Sequence, residues 1–127
     1  MNAYILVAIG GAIGSAARYG AGVLIGRSWG SSFPLATMAV NISGSLLMGL
    51  FIGFLARTVP AWQADARLFI AVGLLGGFTT LSSFSLDAVT LIERGEIVQA
   101  AIYVLGSVLI SIAALFVGLL VMRLGAA

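Results

Sequence analysis

The chain contains no cysteine, no histidine and no lysine, and only ten of its 127 residues are charged. The missing cysteines remove disulfides and thiol chemistry, and the missing histidines remove the usual proton shuttle and most zinc or copper sites. Charge is scarcer than folding in water allows: 8% of residues are charged, against about 25% in a soluble domain. The cations are all arginine, at positions 18, 27, 57, 67, 94 and 123, and the acids are Asp65, Asp87, Glu93 and Glu96. A net charge of +2 spread in this way is not a nucleic-acid-binding patch, which needs basic residues clustered on one face. Little is left for enzymatic chemistry, and no enzyme is expected.

What the chain does have is apolar length, with 61% of residues hydrophobic. A membrane-spanning helix needs about 20 mainly apolar residues to cross roughly 30 Å of hydrocarbon. Four segments meet that length: 4–26, 34–55, 68–91 and 97–122. The polar stretches between them are short, so a single all-α domain of four transmembrane helices is expected over residues 1–127, in a lipid bilayer. The first segment lacks a basic leader region and exceeds the 7 to 15 apolar residues of a secretory signal, so it is expected to stay in the mature protein. Trp29 and Trp62 fall in connections, where indole rings favour the headgroup level, and Pro34 and Pro60 fall at or near helix ends.

Four spans put both termini on the same side as the second connection. That side carries Arg57, Arg67 and Arg123, and the other carries Arg27 and Arg94. A three-to-two ratio gives the positive-inside rule almost nothing to act on. Either the bias is merely obscured, or the chain inserts in both orientations and pairs as an antiparallel homodimer; the dimer is the expectation, since 127 residues enclose little of a pathway alone.

Glycine supplies 17 residues, many spaced four apart. Gly10 and Gly14, Gly22 and Gly26, and Ser45, Gly49 and Gly53 form small-residue faces that let helices approach closely in lipid. The run from Gly10 to Gly14 is not a dinucleotide loop, because no strand precedes it and no acid follows some twenty residues later.

Polar atoms are confined to a few stripes. Thr37, Asn41 and Ser45 share one face of the second span, and Tyr103, Ser107 and Ser111 share one face of the fourth. A hydroxyl in an apolar helix commonly bonds the carbonyl one turn back. The Asn41 amide has no such local solution and needs partners or water. The third span holds three glycines followed by five hydroxyl residues between 73 and 85, a composition that favours a departure from helix. Such a departure frees carbonyls suited to a small hard cation. The alternative is a kink that serves packing only. Arg18 lies inside the first span, where it lines a wet interior or snorkels to the interface. Asp87 is the only acid within a span, and its residue type is compatible with a vestibule group, an arginine partner or an interfacial position. With no carboxylate in the first two spans, the polar interior is made of donors, which favours an anion as cargo.

The segments Gly-Gly-Ala-Ile-Gly-Ser-Ala-Ala-Arg-Tyr at 10–19, Thr-Met-Ala-Val-Asn-Ile-Ser-Gly-Ser at 37–45 and Gly-Gly-Phe-Thr-Thr-Leu-Ser-Ser-Phe-Ser at 76–85 resemble those of the Fluc fluoride channels, also called the CrcB family. The resemblance covers essentially the whole chain. It implies an antiparallel, dual-topology homodimer of four-helix subunits with two fluoride pores, multi-pass in a bacterial-type inner membrane, giving fluoride resistance by passive efflux. It further implies that Asn41 faces the pore, that Phe84 presents a ring edge to fluoride, and that Tyr103, Ser107 and Ser111 form a hydroxyl track. Ser82 and Ser83 are nearby candidates, and Thr37 and Arg18 complete the polar lining. The main-chain carbonyls of Gly76 and Thr79 are implied to hold a central structural sodium ion. One position departs: the family usually has a second Phe where this chain has Leu81, which lacks the positive ring edge that can face an anion. Two other classes are compatible with four spans. A small multidrug or cation exporter needs an intramembrane carboxylate that the first span lacks, and a scaffold subunit leaves Asn41 and the stripes unexplained.

Overall fold

The computed structural model describes residues 2–125, whose regular structure is all helical, with no strand among them. Helix α1 runs Ala3–Ser28 and α2 runs Leu35–Thr58. The third span is composite: α3 (Gln63–Ala66), a π-helical stretch (Arg67–Leu75), α4 (Gly76–Phe78) and α5 (Leu81–Glu93). Helix α6, Ile97–Leu124, closes the chain. Four helical stretches are long and apolar enough to cross a membrane: Ala3–Ser28, Leu35–Thr58, Gln63–Glu93 and Ile97–Leu124.

The helices outrun the apolar segments that define them. Asn2 accepts a hydrogen bond from the Tyr4 amide at 2.7 Å and so starts α1 two residues into the chain. At the far end of α2, Arg57 lies in the last turn and the Thr58 hydroxyl donates to Phe54 O at 2.8 Å, so the helix passes the expected limit at residue 55. The second connection shrinks accordingly, and the third span begins at residue 63 rather than 68.

Packing divides the subunit into two helix pairs, α1 against the π-helical stretch and α4, and α2 against α6. Both seams are made of glycine against main chain. A Cβ placed at Gly10 would collide with Phe69 O, and one at Gly14 with Leu74 O. Across the other seam Gly49 meets Leu115 O, and Gly118 meets Leu46 O and Leu50 N. The glycine faces at 10/14 and 49/53 therefore serve helix approach. Gly22 and Gly26 meet no other helix within the subunit, since a Cβ placed at either has nothing within 4 Å. A small satellite core of Ala88, Leu91, Ala100 and Tyr103 joins α5 to α6, capped by Phe33 from the first connection. The Trp29 indole donates to Phe33 O at 2.8 Å and fixes that cap.

Candidate functional site: a donor-lined cavity beside two extended residues

Between α4 and α5 the backbone leaves helical geometry for two residues. Thr79 (φ −83°, ψ 158°) and Thr80 (φ −152°, ψ 125°) are both extended. Two β-branched residues in a row suit that conformation. Peptide groups released in this way at membrane depth must find new partners. The Asn41 side chain supplies two of them: its Nδ2 donates to Thr80 O at 3.0 Å, and its Oδ1 accepts from the Thr80 amide at 2.8 Å. The Thr80 hydroxyl caps α5 by accepting from the Ser83 amide at 3.1 Å. From the other side, Arg18 Nε donates to Gly77 O at 3.2 Å. Arg18 is thus turned toward the interruption rather than outward to the headgroups.

These bonds have a further consequence. In a continuous helix the Thr80 amide would pair with Gly76 O and the Ser83 amide with Thr79 O. Both amides are committed elsewhere. The carbonyls of Gly76 and Thr79 are thereby left without their helical donors.

Two cavities flank this point. One, of about 350 Å³, is lined by Asn41, Ser45, Thr79, Thr80, Leu81, Phe84, Ser107 and Ser111, with Gly44 and four apolar side chains completing its wall. The other, of about 310 Å³, gathers Arg18, Tyr19, Thr37, Thr80 and Ser83. Thr80 borders both. The expected site residues therefore separate into two groups. Asn41, Leu81, Phe84, Ser107 and Ser111 come together in the first cavity, while Arg18, Thr37 and Ser83 lie in the second. Ser82 is exposed, with its hydroxyl 3.3 Å from that of Thr80. Thr80 itself was not singled out by sequence reasoning. Its signal is the Thr-Thr pair that follows Gly-Gly-Phe.

Tyr103 lines neither cavity. It is fully buried, packs its ring 5.1 Å from Phe84 and 5.6 Å from Phe33, and donates its hydroxyl to Asp87 Oδ2 at 3.1 Å. The lone acid of the spans is therefore a tyrosine partner. Tyr103→Phe keeps the ring and strips the donor from a half-buried carboxylate. The expected loss is about 2 kcal/mol of stability, read as a lower melting temperature of the purified protein.

The hydroxyls sort themselves sharply. Ser43, Thr58, Thr79, Ser85 and Thr90 each donate to the carbonyl four residues back, at 2.7 to 2.9 Å. Ser107 and Ser111 do not; both hydroxyls are buried with no hydrogen-bond partner. Two unspent donors, an asparagine amide and an aromatic ring, with no carboxylate in the lining, form a surface matched to a small anion.

Four apolar spans, three of which line this cavity, define a multi-pass membrane protein with a polar site among its helices. The model of the CrcB-like protein family, described as camphor resistance (CrcB), matches residues 5–119. The chain belongs to that family. A fluoride-specific ion channel FluC of Agrobacterium fabrum is 55% identical over 114 residues, 90% of each chain. One from Hyphomonas neptunium is 47% identical over 123 residues, 97% of each chain. One from Paracoccus denitrificans is 52% identical over 122 residues, 96% of this chain and 95% of the relative.

Proposed function

We propose that the protein is a passive, fluoride-selective channel of the inner membrane, working as an antiparallel homodimer and lowering cytoplasmic fluoride by efflux. The observation that carries the reading is the pair of buried, unpartnered hydroxyls of Ser107 and Ser111 beside Asn41 and Phe84. Fluoride is small and strongly hydrated, so a path must replace its water with donors while holding each station weakly enough for exit. Arg18, Thr37 and Ser83 offer donors on one side of Thr80, and Asn41, Ser107 and Ser111 offer them on the other. Tyr103 packs behind Phe84 and offers the path no donor, since its single hydroxyl proton is engaged by Asp87.

A second copy is supported by the same geometry, because extended backbone at membrane depth has to be covered by protein. The near-even arginine count is what insertion in both directions requires. A structural sodium ion fits the residues present. The freed carbonyls of Gly76 and Thr79 are hard oxygen ligands, and no cluster of acidic side chains competes for the ion among the described residues. When bound, the ion would neutralise the carbonyl dipoles and fix the extended residues.

The test is efflux from liposomes holding the purified protein. Fluoride release with chloride retained is the expected result, and equal release of both, or of neither, overturns the reading. Within the same assay Leu81→Phe is expected to raise fluoride flux. Leu81 is 76% exposed at the cavity edge, one turn before Phe84. A restored ring edge contributes about 1 kcal/mol, or roughly fivefold in rate. Unchanged flux in the variant contradicts the weakened station.

A further inference from the structure

We infer that Asn41 is a positioning residue for the cation site, acting through the Thr80 peptide group; this rests on the channel reading with its structural sodium. Asn41 sits on α2, 39 residues from Thr80 in sequence, and grips both sides of that peptide group at 2.8 and 3.0 Å. The bond that matters is the one from the Thr80 amide to Asn41 Oδ1. While it holds, that amide cannot return to Gly76 O, and helical geometry cannot be restored across residues 79 and 80. Arg18 contributes from α1 by donating to Gly77 O, the carbonyl next to that of Gly76. One side chain thus lines the anion cavity and, by holding the Thr80 amide, keeps the Gly76 carbonyl free for a cation, while the Thr80 hydroxyl does the same for Thr79 O by taking the Ser83 amide. Ion ligands held by a partner that orients them typically lose 10 to 100-fold in affinity when that partner is removed.

The measurement is a thermal melt of the full-length protein in detergent, titrated with sodium chloride against N-methylglucamine chloride at constant ionic strength. The wild-type protein is expected to gain stability with sodium. Asn41→Ala loses the acceptor, so its sodium midpoint should rise at least tenfold. Asn41→Asp keeps an acceptor oxygen at the same place, so its midpoint should stay at or below the wild-type value even though a carboxylate in the anion path abolishes fluoride flux. That split separates positioning from pore lining. An Asn41→Ala protein that folds with the wild-type midpoint overturns the inference and leaves the channel reading intact. Loss of the sodium response in Asn41→Asp also overturns it, and this arm decides if Asn41→Ala does not fold. No sodium response in the wild-type protein would sink the cation site itself, and the inference with it.

Discussion

Replacing Ser107 and Ser111 together by alanine is expected to cut fluoride flux about a hundredfold while leaving the protein as stable as before or slightly more so. The two effects have opposite signs for a physical reason. A hydroxyl buried without a partner carries a desolvation penalty of about 1 to 3 kcal/mol, and alanine removes the group that incurs it. A hydrogen bond to an anion is worth about 1.5 to 3 kcal/mol, and two such bonds lost at the barrier amount to on the order of a hundredfold or more in rate. Paired efflux and melting measurements on one preparation check both. If the two serines served packing, stability and flux would fall together. The same substitution at Ser43 and Ser85, whose hydroxyls donate to Ala39 O and Leu81 O, supplies the comparison.

Gly118→Ala is expected to have a large effect on folding. A methyl group there lies 2.6 Å from Leu50 N and 2.7 Å from Leu46 O, and neither is the tip of a side chain that can swing aside. The α2–α6 seam must open along its length to admit it. The cost is about 3 kcal/mol, the upper end of ordinary overpacking. It should appear as a depressed melting temperature and poor recovery of folded protein. Gly26→Ala is the control, because a Cβ placed there has nothing within 4 Å in the subunit and alanine is the better helix former. A Gly118→Ala protein that melts with the wild type would mean that the seam yields.

Much of this arrangement was legible in the residues. Four apolar runs separated by short polar stretches marked four spans, because lipid thickness sets a minimum length. Runs of that kind mark the hydrocarbon, not the helix, so the ends moved outward where Asn2 and Thr58 extend hydrogen bonding past it. The π-helical stretch 67–75 left no trace, since nine nearly uniformly apolar residues carry no pattern by which one turn width differs from another. Asn41 stood out as a polar group in need of partners, but the partner is a backbone group on another helix that only the tertiary fold brings near. Nor could residue type tell Ser85, which bonds its own helix, from Ser107, which does not. Spacing likewise grouped Gly22 and Gly26 with Gly10 and Gly14, although only the latter pair meets a neighbouring helix in the subunit.

The glycine seams bear on how small an ion can be told from a larger one. Halide ions differ in radius by a few tenths of an ångström, so a lining that discriminates among them must hold its dimensions at least that closely. Helices that meet through leucine or methionine can shift as those side chains change rotamer. Helices that meet glycine to carbonyl, as at Gly14 with Leu74 and Gly49 with Leu115, have no torsion at the contact to relax. The tolerance of the proposed conduit is then that of peptide geometry itself, and the frame behaves as a gauge rather than a spring.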